Sequence, residues 1–261
     1  MHDFHMHSTF SADCDAPMEK MADAAVRKGL TSICFTDHID YDYPDPSIVF
    51  DVNLDEYAKA HKAVHDQFSG KLDIRKGIEL GIQPHLVKPY NELTKEQNFD
   101  FIILSMHSTD GKDLHSGNLF KDCTLHEAYD KYYTELLDCV KQFEAFSILG
   151  HLDLVTRYKF EDGVHHFHDV IEEIFRTIIP RGQGIEINTS GYKYNMNRLL
   201  PSRDILELYK QMGGEIITVG SDAHRPERVG DRIDEAYDLL KDIGFNYVTT
   251  FKERKPEFHK L

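Results

Sequence analysis

In this 261-residue chain, ten residues of types that could bind metal ions fall where short apolar runs end: His5, His7, Asp37, His38, Glu79, His107, His151, Asn188, Asp222 and His224. His5-Met6-His7 has spacing two, which on a strand puts both imidazoles on one face. Asp222-Ala223-His224 repeats that geometry near the other end. Either triplet alone is a common accident. Together, in a chain with 16 histidines and 45 acidic residues, they point to a metal site. Imidazoles and carboxylates without a thiolate suit Zn²⁺, Mn²⁺ or Fe²⁺ and argue against a closed structural zinc. So many donors exceed what one ion takes. Two or three ions sharing a carboxylate and a hydroxide would use them, an arrangement that recurs in phosphoester hydrolysis.

The elements that must position these donors are legible as alternation. Apolar runs at 4–7, 30–36, 72–80, 99–105, 146–150, 184–188, 215–220 and 245–251 read as buried parallel strands. Amphipathic stretches at 17–28, 54–68, 124–143, 168–181, 203–212 and 231–243 read as helices. Thr124 followed by Glu127 predicts a capping box, and Gly29 stops the first helix. Seven or eight strand–helix units imply a closed α/β barrel, with an open doubly wound sheet as the alternative. In such a barrel the active site lies at the C-terminal ends of the strands. No linker or repeat divides the chain, so residues 1–261 are expected to form one domain.

Composition excludes several classes. Thirty basic against 45 acidic residues leave a net charge of −15, which disfavours binding to nucleic acid or to an anionic membrane. No apolar run approaches the roughly 20 residues that span a bilayer. The start, Met1-His2-Asp3-Phe4-His5, lacks the pattern of a secretory signal. Cys14, Cys34, Cys123 and Cys139 form no CxxC pair and are expected to be reduced thiols of a cytoplasmic protein. Oligomeric state is not legible.

The sequence resembles the PHP (polymerase and histidinol phosphatase) superfamily. The motifs that carry the resemblance are His5-x-His7 with Ser11-x-Asp13, Thr36-Asp37-His38, Gly77-Ile-Glu79, Ser105-Met-His107-Ser108, Gly150-His151-Leu-Asp153 and Ser221-Asp222-Ala-His224. They run in the family's order over most of the chain. The segments 150–157 and 186–191 look like those of histidinol-phosphatase enzymes. The resemblance implies a distorted (β/α)7 barrel with a trinuclear metal centre. It groups His5, His7, Glu79 and Asp222 around one ion. Glu79, His107 and His151 surround a second. His38, His224 and an acidic residue of the first loop hold the third; Asp13 fits the spacing, with Asp15 as the alternative.

The implied reaction is hydrolysis of a phosphate monoester, L-histidinol phosphate of histidine biosynthesis, with a hydroxide between the ions as the nucleophile. Guanidinium groups suit a phosphate dianion, and Arg157 and Arg198 are the expected substrate contacts. Asp153, His38 or His224 could protonate the leaving alkoxide; Asp153 and Asp37 could instead orient a ligating histidine. Asp110, His115 and Tyr192 are candidates for the histidinol amine or imidazole. His61 and His65 read as an exposed helix face, and His165, His166 and His168 as a loop before a helix. Two alternatives stay open: a phosphoesterase for another monoester or diester, and a non-catalytic metal-binding scaffold.

Overall fold

Residues 1–158 and 167–261 are described by a computed structural model of the protein. His165 and His166 lie outside the described residues. Seven parallel strands form the frame: β1 (His2–Met6), β2 (Ser32–Phe35), β3 (Asp73–Gly81), β4 (Phe101–Ser105), β5 (Ile148–Leu149), β6 (Gly184–Asn188) and β7 (Ile217–Gly220), paired in that order. A two-residue strand, His38–Ile39, adds to the upper part of β3. The strands are almost wholly buried because helices cover the outside of the sheet. Those helices are α1 (Met18–Arg27), α2 (Leu54–Gln67), α3 (Val87–Glu96), α4 (Leu125–Gln142), α5 (Val155–Tyr158), α6 (His168–Ile178), α7 (Arg203–Gln211) and α8 (Ile233–Ile243).

The sheet closes only at its C-terminal rim. There Asp222 N–H donates to the His5 carbonyl (2.8 Å) and His7 N–H to the Ala223 carbonyl (2.9 Å). The result is the distorted seven-stranded barrel that the motifs imply. β1 also carries an irregularity: three steps from Asp3 to Met6 oppose two steps of β2. The extra residue lets Phe4 join the inner apolar cluster while His5 also faces inward.

The eighth apolar run does not enter the barrel. It forms β8 (Tyr247–Lys252), antiparallel to β9 (Lys255–Lys260). This hairpin caps the N-terminal end, where Phe251 packs with Phe4, Cys34, Phe101, Ile103 and Ile148. Asp100 fastens its turn by accepting from Glu253 N–H and Arg254 N–H. The barrel is therefore filled with hydrocarbon below and polar groups above.

Several local expectations hold. Thr124 and Glu127 form a reciprocal capping box on α4. Gly29 takes φ 71° just past α1, where only glycine is unstrained. The four cysteines are unpaired. One expectation fails: His61 is buried under α2 with Tyr57 and Val64, while His65 is exposed. His168 opens α6 and faces Asp204.

Candidate metal centre

Glu79, near the end of β3, is the hub. It is fully buried, and five imidazoles surround its carboxylate. His5 Nε2 lies 3.0 Å from Oε2 and His38 Nδ1 lies 3.2 Å from it; His151 Nε2 is 3.1 Å and His107 Nε2 3.3 Å from Oε1. Ser105 Oγ donates to Oε1 at 2.6 Å. His7 Nε2 lies 3.3 Å from Asp222 Oδ1 and 3.5 Å from Glu79 Oε2. His7 stacks between His38 and His224, with ring centroids 4.3 and 4.1 Å away. His224 Nε2 meets Asp13 Oδ2 at 3.1 Å. Asp15 lines the same cavity, but among the described residues its side chain has no ion pair with the cluster. The nine residues of the motif set thus come together from strands β1 and β3 and from the segments that follow β1, β2, β4, β5 and β7.

The outer faces of these rings are held as well. His5 Nδ1–H donates to Glu186 (2.9 Å), His7 Nδ1–H to Ser11 Oγ (3.1 Å), His107 Nδ1–H to Asp40 (2.6 Å) and His224 Nδ1–H to the Asp222 carbonyl (3.0 Å). Asp37 does not reach the cluster. It accepts from Ser8 N–H, Ser8 Oγ and Ser11 Oγ, and so fixes the hydroxyl that supports His7.

Electrostatics follow from this crowding. Burial alone would raise the Glu79 and Asp222 carboxyls; the surrounding imidazoles overcome it and hold both well below the usual range. Burial likewise opposes charge on His5, yet Glu186, Glu79 and Asp222 raise its pKa well above the ordinary value. For His7, burial and the neighbouring His224 and His38 act together and push it far down.

Divalent ions fit this donor set. The trios His5–His7–Asp222, His38–Glu79–His107 and His7–His38–His224 each have ligand atoms within 4.8 Å of one another. His7 Nε2, His38 Nδ1 and His151 Nδ1 are buried atoms without a hydrogen-bond partner, the condition expected of groups arranged for a ligand.

The cluster floors a cavity of about 840 Å³. Arg157, on α5, lines it with a largely buried side chain. Its guanidinium donates to Ser190 Oγ (2.5 Å), lies 3.5 Å from Asp222 Oδ2 and covers the Tyr194 ring at 4.2 Å. Its Nε has no partner. Arg198 is placed differently: it pairs with Asp153 Oδ2 (2.9 Å) and donates to Thr156 Oγ1 (2.6 Å). Asp153 is fully buried and also accepts from Ser202 N–H. Neither Arg198 nor Asp153 is among the residues that line the cavity. His115 lines it edge-on to Tyr158 (6.1 Å between centroids), and so do Tyr43 and Phe50, edge-on to each other at 5.1 Å. Asp110 instead pairs with Lys131 at the surface, and Tyr192 stacks under Arg232.

Sequence reasoning missed Asp40 and gave Glu186 no role. His38-Ile39-Asp40 and Glu186-Ile187-Asn188 both have the strand spacing that aims two polar groups inward. That signal was available in both.

Fold and site define a parallel α/β barrel with a carboxylate–imidazole cluster for divalent ions at the C-terminal ends of its strands. The chain belongs to the PHP domain family, whose model matches residues 3–190. It is 33% identical to a histidinol-phosphatase of Lactococcus lactis over 99% of this chain and 97% of that one. It is 30% identical to a probable histidinol-phosphatase of Thermotoga maritima over 95% of this chain and 94% of that one. The crystal structure of histidinol phosphate phosphatase from Lactococcus lactis, complexed with zinc, L-histidinol and phosphate, superposes with a TM-score of 0.88. That match has 31% identity and covers 98% of both chains.

Proposed function

We propose that the protein hydrolyses L-histidinol phosphate to L-histidinol and phosphate, the monoester hydrolysis of histidine biosynthesis. The observation that carries this reading is the full-length similarity to the Lactococcus enzyme complexed with zinc, L-histidinol and phosphate. The cluster of His, Asp and Glu side chains at the cavity floor supports it.

His5, His7, Asp13, His38, Glu79, His107, His151, Asp222 and His224 would hold two or three divalent ions, zinc being the first choice, with manganese or iron as alternatives. Bound there, such ions supply a water of lowered pKa and positive charge for phosphoryl oxygens. Arg157 binds the phosphoryl group. Ser190 and Tyr194 hold its guanidinium at the cavity wall, and its unpartnered Nε supports this role. In this reading Arg198 and the buried Asp153 form an anchor for the segment that carries Ser190. The aromatic wall of Tyr43, Phe50, His115 and Tyr158 receives the leaving group and limits access of bulk water.

The test is phosphate release from L-histidinol phosphate by protein whose metal content is assayed in the same tube, beside a generic monoester and a phosphodiester. A preference for histidinol phosphate that chelation abolishes is expected. Full metal occupancy with no such preference would move the assignment to another phosphoester.

A further inference from the structure

We propose that Glu186 and Asp40 are positioning carboxylates that hold His5 and His107 with the proton on Nδ1, so that each ring presents Nε2 as a lone pair beside Glu79. The inference rests on the metal reading above and adds two residues that touch no ion themselves.

Glu186 reaches the barrel axis from β6 and is buried. Every hydrogen bond it makes is one it accepts. Oε2 takes His5 Nδ1–H at 2.9 Å, and Oε1 takes His151 N–H at 2.7 Å and Asn188 Nδ2–H at 3.0 Å. Donors on both oxygens leave no place for an amide. A glutamine in either orientation turns its NH₂ toward a donor. An NH₂ in place of Oε1 would oppose two donors, His151 N–H and Asn188 Nδ2–H; the favoured orientation opposes only one and drives the His5 proton onto Nε2, where it blocks coordination. The barrel makes room for this carboxylate with glycine. A Cβ on Gly220 would stand 3.1 Å from Oε2 and 2.2 Å from the His5 Cβ.

Asp40 differs in one respect. Its Oδ2 accepts from His107 Nδ1–H at 2.6 Å, whereas Oδ1 is buried without a hydrogen bond, 3.9 Å from His38 Nδ1. A Cβ on Gly81 would lie 2.2 Å from that Oδ1, so glycine is required here too. With only one oxygen taking a hydrogen bond, an asparagine can accept from His107 through its carbonyl and keep the ring in place. The two carboxylates therefore predict opposite responses to the same isosteric exchange. Carboxylates behind ligating imidazoles fix the tautomer and raise ligand basicity.

The experiment compares wild type with E186Q, D40N and D40A, each loaded with zinc and titrated with a chelator. Imidazole ¹H–¹⁵N spectra of the same samples read the tautomers, and circular dichroism confirms folding. Expected for E186Q is zinc lost from one site at about 10–100-fold weaker affinity, with the His5 signal leaving the Nδ1–H tautomer. D40A loses zinc to a similar degree, and D40N retains it. E186Q that binds zinc like wild type with an unchanged His5 spectrum overturns the inference, as do D40N and D40A that behave alike. If E186Q does not fold, the Asp40 pair decides by the same criterion. Wild type that takes up no zinc or other divalent ion overturns the metal reading itself, a result distinct from intact wild-type binding with indifferent variants.

Discussion

Asp3 and Ser221, 218 residues apart in the chain, are joined by two hydrogen bonds: the Asp3 carboxylate accepts from Ser221 N–H at 2.9 Å and from Ser221 Oγ at 2.6 Å. Asp3 also accepts from Gly230 N–H at 2.8 Å. The first strand thus holds the segment that carries Asp222 and His224, just where the β1–β7 seam has few ladder bonds. Asp3 is fully buried, so water cannot replace it. Asp3→Ala should leave the two buried Ser221 donors unpaired, remove the acceptor for Gly230 N–H, and cost about 3 kcal/mol of stability. Denaturant midpoints of metal-stripped protein measure it; a loss under about 1 kcal/mol would show that closure does not depend on this carboxylate.

Arg157 gives the second prediction. Its guanidinium is planar, largely buried and held by Ser190 and Tyr194, a geometry that lysine cannot copy. Arg157→Met and Arg157→Lys should both lower kcat/KM by about 100-fold or more, the range for loss of a charged transition-state contact. Wild-type kinetics in Arg157→Lys would remove the guanidinium from phosphate binding.

Arg198 and Asp153 should respond as a structural pair. Removing only the arginine leaves a buried carboxylate uncompensated, so Arg198→Met should cost roughly 3 kcal/mol or more of stability. The double variant Arg198→Met, Asp153→Leu should recover part of it. A direct phosphate contact predicts the reverse, a large fall in kcat/KM with stability unchanged. Unfolding curves and kinetics on the same three proteins separate the two roles.

The sequence exposed the inner donors better than their supports, for physical reasons. His5, His7, Glu79, His107, His151, Asp222 and His224 carry chemistry in their side-chain types, and strand ends are visible in hydropathy. Asp40 and Glu186 act by facing an imidazole across the barrel, so their role depends on neighbours far away in sequence. The same holds for Arg198, whose motif position says nothing of its pairing with Asp153. α3 escaped notice because Pro89 suggests a break, although a proline in the first turn is tolerated. The β8–β9 hairpin escaped because Glu253 and Arg254 take φ 49° and 62° without the asparagine or glycine that marks such turns. Asp100 supplies the holding contacts instead. His61 seemed exposed until Tyr57, His61 and Val64 turned out to share the inner stripe of α2.

Metal removal should weaken the fold as well as the chemistry. The cluster gathers buried carboxylates and imidazoles whose charges and lone pairs an ion would satisfy. Ligand at about 1,000 times its Kd contributes roughly 4 kcal/mol. For a chain of this size that corresponds to a fall in Tm of about 10 °C on chelation. Calorimetry before and after chelation, with re-addition of zinc, checks it. An unchanged Tm with metal demonstrably removed would argue against ions bound at the barrel rim.

His61 predicts a pH dependence away from the site. Burial, with His65 and Lys76 also nearby, lowers its pKa from 6.5 to about 4. The folded protein therefore keeps His61 neutral where the unfolded chain already binds a proton. Its contribution is complete above pH 6.5 and is lost as pH falls from there toward about 4. The loss is on the order of 3 kcal/mol at most. His61→Gln removes the titration, so its stability should decline less steeply than wild type across that window. Chemical denaturation at several pH values, on metal-free protein to keep the ligands out of the comparison, gives both curves. Parallel curves would mean that His61 is hydrated or protonated in the folded state and does not contribute to acid sensitivity.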